Sequence, residues 1–226
     1  MNRIICDSSS LISLGNICAL GILPYLEEKH NIEFIIPKSI EDEIVKKPMN
    51  TKKFKLKAIK FKELIKQNTL QVESIEKAKK ESKEIIKISN NLLLSKKEQK
   101  PIEIIHEGEA RTISLLNTLN ISNLLIDERT TRLLIEDIEK LRRYIESQSK
   151  IKIDIDKEKK REIKKKTKNL NVIRSSEIIA IAYEEGYFPE KTEELLEGSL
   201  YASKFAGCGI SSQEIKDYLH ILEGKK

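Results

Sequence analysis

Arg3–Ile12, RIICDSSSLI, is the stretch on which the fold turns. Arg3–Cys6 is an apolar run of strand length, Asp7 closes it, and Ser8–Ser10 are small hydroxyl residues of the kind that start helices. A first, central strand passing straight into a helix with an acid at the junction opens a strand-helix-strand unit. The arrangement recurs along the chain. Glu43 follows EFIIP (Glu33–Pro37) by one helical turn, Glu109 sits in HEGEARTISLL (His106–Leu116), and Asp127 closes NLLI (Asn123–Ile126). In an open α/β sheet the carboxyl ends of parallel strands converge on one crevice. Carboxylates gathered there repel one another by about 4 kcal/mol per close pair, at about 4 Å and an effective dielectric near 20. A hard cation resolves that repulsion, so the pattern points to a metal-dependent phosphoryl-transfer site.

Working outward, Ile32–Ile36 reads as a second strand stopped by Pro37, Asn123–Ile126 as a third and Leu170–Ile173 as a fourth. A helical segment runs from Ser8 to about His30 with breaks near Gly15, Gly21 and Pro24, and further helices are expected over Lys38–Lys47, His106–Leu119, from Glu128, and over Ser175–Glu185. Two more, Pro189–Phe205 and Ser211–Glu223, are separated by Gly207 and Gly209. Alternation of this kind predicts an α/β protein, a parallel sheet with helices on both faces. Residues 48–100 read as a basic insertion, a helical hairpin with Phe54, Ala58, Phe61, Leu64 and Ile65 on one stripe and Ile75, Ala78, Ile85 and Ile86 on the other, joined near Leu70 and Val72. Residues 139–168 form a second basic insertion, in which the alternating IKIDID of Ile151–Asp156 reads as a short hairpin strand. The whole chain, 1–226, is read as a single domain.

With 39% hydrophobic and 35% charged residues, a core forms only if most charge lies on exposed helices. Trp is absent and aromatics are 5%, which argues against a base-stacking platform. The net charge of +6 is uneven. Lys46–Lys100 carries 17 Lys against 6 Glu, and Glu139–Lys168 carries 13 basic against 6 acidic residues, leaving the remainder acidic. An acidic centre with basic flanks suits a polyanionic substrate. Cys6, Cys18 and Cys208 lack metal-ligand spacing and suit a reducing cytoplasm. The uncharged stretch Leu11–Leu26 is interrupted by Ser, Asn, Gly and Pro, so it reads neither as a signal peptide nor as a spanning helix, and a soluble cytoplasmic protein without membrane attachment is expected.

Each acid also has a structural use. Asp7 and Asp127 suit N-caps, and Glu43 and Glu109, at helix starts, complement the helix dipole. Ser8–Ser10 can cap without Asp7, which frees Asp7 for a cation, with Ser9 to orient it. Gly108 lets the backbone approach closely beside Glu109. Glu128 reads as a helix-start or supporting acid, and Arg132 as a partner for a carboxylate or a phosphate.

The strings ICDSSSLI, IIPKSIEDEIV, HEGEARTISLL, NLLIDERTTRLL and NVIRSSEIIAIAYEEGYF, in that order, resemble the PIN domain. The ending GYFPEKTEELLEGSLYASKFAGCGISSQEIKDYLHIL resembles the C-terminal part of a prokaryotic PIN subgroup of unsettled role. The resemblance covers about residues 1–47, 101–138 and 169–223. It implies a Rossmann-like three-layer α/β/α sandwich and a Mg²⁺- or Mn²⁺-dependent ribonuclease. Its catalytic, metal-binding acids would be Asp7, Glu43, Glu109 and Asp127, with Ser9 as the polar residue after the first. Where the family often has a Gly-Thr pair after the fourth strand, Arg174, Ser175 and Ser176 stand here, with Ser176 available for the polar role.

The expected reaction is endonucleolytic hydrolysis of RNA, with the basic segments on the RNA backbone and no histidine base among His30, His106 and His220. Rival readings are the toxin of a toxin–antitoxin pair, restrained by an antitoxin or other regulatory protein, and a silent scaffold that binds RNA or protein. A haloacid-dehalogenase-like phosphatase would want Asp where Ser9 stands, and a phospho-receiver domain would want paired acids after the first strand. PIN-like domains often dimerise, so a homodimer is expected.

Overall fold

Ile4, Ile5 and Cys6 are all buried. Successive side chains of a strand point to opposite faces, so a strand with no exposed side must be covered twice. The computed structural model, which describes residues 2–223, shows that cover. Along the chain come β1 (Asn2–Cys6), α1 (Ser8–Asn16), α2 (Ile22–His30) and β2 (Ile32–Pro37). A continuous helical stretch follows in three parts, α3 (Lys38–Glu41), a π-helical turn (Asp42–Lys46) and α4 (Lys47–Met49). Then come α5 (Lys55–Lys66), β3 (Leu70–Glu73), α6 (Glu76–Ser89), β4 (Leu93–Ser95), α7 (Glu107–Leu119) and β5 (Asn123–Leu125). The remainder is α8 (Arg129–Glu136), α9 (Ile138–Ser149), β6 (Ile153–Ile155), α10 (Lys157–Thr167), β7 (Asn171–Ile173), α11 (Ser175–Glu184), α12 (Glu193–Ala206) and α13 (Ser212–Glu223).

Five strands form one parallel sheet in the order β3-β2-β1-β5-β7. Ile4, Cys6, Phe34, Ile36 and Leu125 face a core shared with α1, α2, α5, α11 and α12. Ile5, Ile35, Leu124 and Ile126 face the other, shared with α6, α7, α8 and α9. The strict alternation along β1, β2 and β5 therefore builds the three-layer α/β/α sandwich, Rossmann-like as expected. The chain winds outward from β1 through β2 and β3, then crosses to the other side of β1 for β5 and β7. That reversal puts a crevice outside the carboxyl ends of β1 and β5, the place where open α/β sheets bind ligands.

The two basic segments are placed differently from the inserted arms expected. The short run Leu70–Glu73, read as the joint of a helical hairpin, is the edge strand of the central sheet, with Phe34 opposite Leu70 and Ile36 opposite Val72. Ile85 and Ile88 of α6 are buried in the second core. A four-residue run carries too little periodicity to separate strand from linker, and only pairing with β2 decides it. IKIDID does supply a strand, β6, but its antiparallel partner is the distant β4, in register Leu93↔Ile155. Lys166 adds ion pairs to Glu81 (3.0 Å) and Glu84 (3.2 Å). The two basic segments are thus joined to each other. The helix expected from Glu128 is broken at Asp137, whose carboxylate caps α9 by accepting from the backbone of Glu139 and Lys140. Among the described residues no helix is long and apolar enough to cross a membrane.

Candidate active site

Asp7 stands at the end of β1, with its backbone N–H still bonded to the Leu125 carbonyl (2.8 Å). Its side chain caps α1: Oδ2 accepts from the Ser9 backbone N–H (2.8 Å) and from Ser9 Oγ (2.6 Å). Oδ1 receives no hydrogen bond among the described residues. The carboxylate is 3% exposed. Burial raises its pKa to about 6; the Ser9 hydrogen bonds oppose the shift, and the charges of Glu109 and Glu43 reinforce it. Asp7 is thus both a cap and a carboxylate on the crevice. Ser9 does more than orient it, because its hydroxyl also accepts from the backbone N–H groups of Asp127 (3.1 Å) and Glu128 (3.2 Å). One hydroxyl joins the ends of β1 and β5 across the switch point. Ser9→Ala is expected to cost about 1–3 kcal/mol of stability, read by denaturant titration, because it orphans those buried donors.

Glu43 lies in the π-helical turn, where Oε1 accepts from Ser8 Oγ (3.0 Å). A π turn adds a residue to the helical turn and re-aims the side chains beyond it, a device frequent at functional sites. Glu109 is the third residue of α7 and closes a capping box, with Oε2 accepting from the His106 N–H (3.0 Å). The structure therefore brings Asp7, Glu43 and Glu109 into one electrostatic field.

Asp127 is at the same crevice, 1% exposed, but it faces the other way. Oδ1 accepts from the Ser175 backbone N–H (2.8 Å) and Oδ2 from Ser175 Oγ (2.7 Å). Ser175 Oγ in turn meets Ser203 Oγ (2.9 Å). Asp127 thus ties the end of β5 to the start of α11, where the positive end of the helix favours a carboxylate. The polar role expected of Ser176 falls to its neighbour; Ser176 is buried against Cys208 Sγ (3.5 Å). Ser175 opens α11 and Ser176 is one residue, or about 100°, further round, so a single step decides which hydroxyl meets β5. Glu128 is the N-cap of α8, accepting from Thr130 and Thr131 N–H. Arg132 donates to the Gly209 carbonyl (3.2 Å) and lies 3.7 Å from Glu136, so it is taken up by a carboxylate. Arg174, where a Gly-Thr pair was the alternative, is anchored to Glu177 (2.6 Å) and Glu214 (2.8 Å), stitching α11 to α13.

None of the four acids forms an ion pair among the described residues. Also among the described residues, no three acidic, His or Cys side chains stand close enough together to hold one ion. The donor chemistry nonetheless fits a hard divalent cation: carboxylate oxygens, one of them on a buried acid with an unbonded Oδ1 and no cationic neighbour paired to it. At the carboxyl ends of β2 and β3, a pocket of about 220 Å³ carries Lys38, Lys79 and Arg111 on its wall together with Glu73 and Glu76.

Sequence reasoning missed Ser8, Ser175 and the π turn. The two serines were legible only as caps, and a π turn leaves no residue signature. The model of a family described as PIN domain matches residues 3–140, a span that includes all four acids and the first basic segment with α5 and α6, and none of β6, α10 or α11. No curated protein matches the chain. The match takes in more than half of the chain and agrees with the sandwich, the switch point and the acids on its rim; the chain belongs to the PIN domain family, whose members are generally metal-dependent nucleases.

Proposed function

We propose that the chain is a metal-dependent endoribonuclease that hydrolyses RNA phosphodiester bonds at the carboxyl edge of β1. The observation that carries this is Asp7: a buried carboxylate with no ion-pair partner among the described residues, its pKa raised by burial and by Glu109 and Glu43. Such a group destabilises the protein at neutral pH unless a cation offsets it. Asp7, Glu43 and Glu109 would hold Mg²⁺ or Mn²⁺, and Asp127 would keep α11 against the crevice through Ser175. A bound ion there supplies acidification of water and charge neutralisation at the scissile phosphate. The chain's residues do the placing. Ser9 fixes the rotamer of Asp7, Ser8 holds Glu43, and the His106 N–H holds Glu109. Lys38, Lys79 and Arg111, each paired with a glutamate of its own helix, line a pocket at the carboxyl ends of β2 and β3 and would meet RNA phosphates by exchanging those partners.

One observation favours the silent-scaffold reading, namely the absence of three ligand side chains at coordinating distance among the described residues. A single assay separates the two. Mixed structured RNA is incubated with Mn²⁺, with Mg²⁺ and with EDTA. Cleavage with either ion, falling at least about a hundredfold in EDTA, is the expected result. Cleavage indifferent to EDTA, or RNA bound but intact with both ions, overturns the ribonuclease reading.

A further inference from the structure

Helix α10 lies outside the segment matched by the family and away from the acids, yet it holds the densest positive charge in the chain. Lys157, Arg161, Lys165 and Lys168 are exposed. At 100° per residue they fall within about 80° of one another, a single stripe about 16 Å long. None of the four forms an ion pair among the described residues. The neighbouring cations fasten the helix instead: Lys160 pairs with Glu139 (2.8 Å), and Lys164 donates to the Ile135 (3.0 Å) and Glu136 (3.3 Å) carbonyls that end α8. On the opposite face Ile163 and Thr167 are buried.

The stripe borders two adjoining grooves. One, of about 500 Å³, has Lys157, Lys160, Arg161 and Lys164 on its wall. The other, of about 600 Å³, shares Arg161 and Lys164 with it and continues past Lys165 and Lys168 to Leu170, with Glu136 as its one acid. Leu170 immediately precedes β7, and α8 begins at the carboxyl end of β5 and has run its length by Glu136. The groove therefore lies at the amino edge of the sheet, on the rim opposite Asp7. From Leu170 to the start of α11 at Ser175 is about 17 Å at strand rise.

We propose that the α10 groove is a second, non-catalytic site that binds the phosphate backbone of an RNA strand at a distance from the crevice; the ribonuclease reading supplies only the identity of the strand. Four cations spread along about 16 Å of helix can meet successive phosphates of a short stretch of strand. The physical features select against other polyanionic partners. An acidic protein surface is anchored by apolar and aromatic hot spots, and no aromatic residue lines either groove. A helix that lies on anionic lipid inserts an apolar face beside its cations, whereas the apolar side of α10 is spent on the core. Cations at regular spacing with no readout group suit a sequence-independent backbone contact. Engaging both sites takes a strand that runs the length of the stripe and then from one rim of the sheet to the other.

The test is fluorescence anisotropy of a labelled 30-nucleotide single-stranded RNA in EDTA, across salt concentrations. Wild type is compared with the fourfold variant Lys157→Ala, Arg161→Ala, Lys165→Ala, Lys168→Ala and with the charge-preserving Lys157→Arg, Lys165→Arg, Lys168→Arg. The alanine variant is expected to bind at least tenfold more weakly near 0.1 M salt, with a log–log salt slope smaller by about 3, since each phosphate contact on a single strand contributes about 0.7. The arginine variant keeps wild-type affinity, and all three melt at similar temperatures because the altered side chains are exposed. Unchanged affinity and slope in the alanine variant overturn the proposal. So does wild-type affinity for polyglutamate or for phosphatidylserine vesicles equal to that for RNA. An absence of cleavage by wild type when Mn²⁺ or Mg²⁺ is supplied, with the binding pattern in EDTA as expected, overturns the ribonuclease reading alone.

Discussion

Asp7→Asn is expected to abolish metal-dependent cleavage and, at the same time, to make the metal-free protein more stable at neutral pH. The amide keeps an oxygen to accept from the Ser9 N–H and Oγ, so the cap on α1 survives. What it loses is the charge. Burial, with Glu109 and Glu43, raises the Asp7 pKa from 3.8 to about 6. At about 1.4 kcal/mol per pH unit, the ionised carboxylate costs the fold about 3 kcal/mol above that pH. A folded-state pKa above the unfolded value contributes stability that is complete below 3.8 and is lost as pH rises through about 6. The stability curves of wild type and variant, from denaturant titration in EDTA, should therefore coincide below about pH 4 and separate between there and about pH 6, with the variant higher. Mn²⁺ should raise the melting temperature of wild type at pH 7 and lose that effect as Asp7 protonates below about pH 6. Cleavage should fall about a thousandfold, about 4 kcal/mol of barrier. A variant that is less stable than wild type at pH 7, or that still cleaves, contradicts the assignment of Asp7 as an unpaired ligand.

Asp127→Ala should behave in the opposite way. This buried carboxylate accepts from both the N–H and the Oγ of Ser175, and its loss leaves two buried donors facing a void. Each orphaned donor costs about 1–3 kcal/mol, so a loss of about 3–4 kcal/mol is expected, or a melting temperature about 10 °C lower. Asp127→Asn, which still accepts from the Ser175 N–H, should recover most of that. If Asp127→Ala melts within about 1 kcal/mol of wild type but does not cleave, Asp127 serves the ion rather than the junction of β5 with α11. The two buried acids of one crevice are thus told apart by the sign of their effect on stability.

The difference between them shows what was legible from residues alone. RIICDSSSLI and NLLID each name a strand, its end and the acid there, because apolar runs and acid-to-serine junctions are local signals. Glu43 and Glu109 follow for the same reason, and so do the polar neighbours Ser9 and Glu128. Their directions do not follow. Ser8–Ser10 read as caps, with Ser9 also expected to orient Asp7, yet Ser8 holds Glu43, Ser9 also clasps β1 to β5, and Ser10 donates to the carbonyls of Asp7 (3.0 Å) and Leu125 (3.1 Å). Ser176 was the expected hydroxyl and Ser175 the one engaged, a choice set by how α11 is rotated against β5. Leu70–Glu73 became a strand only because β2 offers it an unpaired edge.

By itself the sequence determined the parallel sheet with helices on both faces, four of its strands and the acids at or near their ends, since these depend on residue periodicity and on where apolar runs stop. The tertiary structure alone decided which carboxylates face one another, which is consumed by a buried hydrogen-bonded clasp, and that the basic stripe of α10 lies on the rim opposite the acids. Those outcomes depend on side-chain direction and on contacts between residues far apart in the chain, and neither is written in any local pattern.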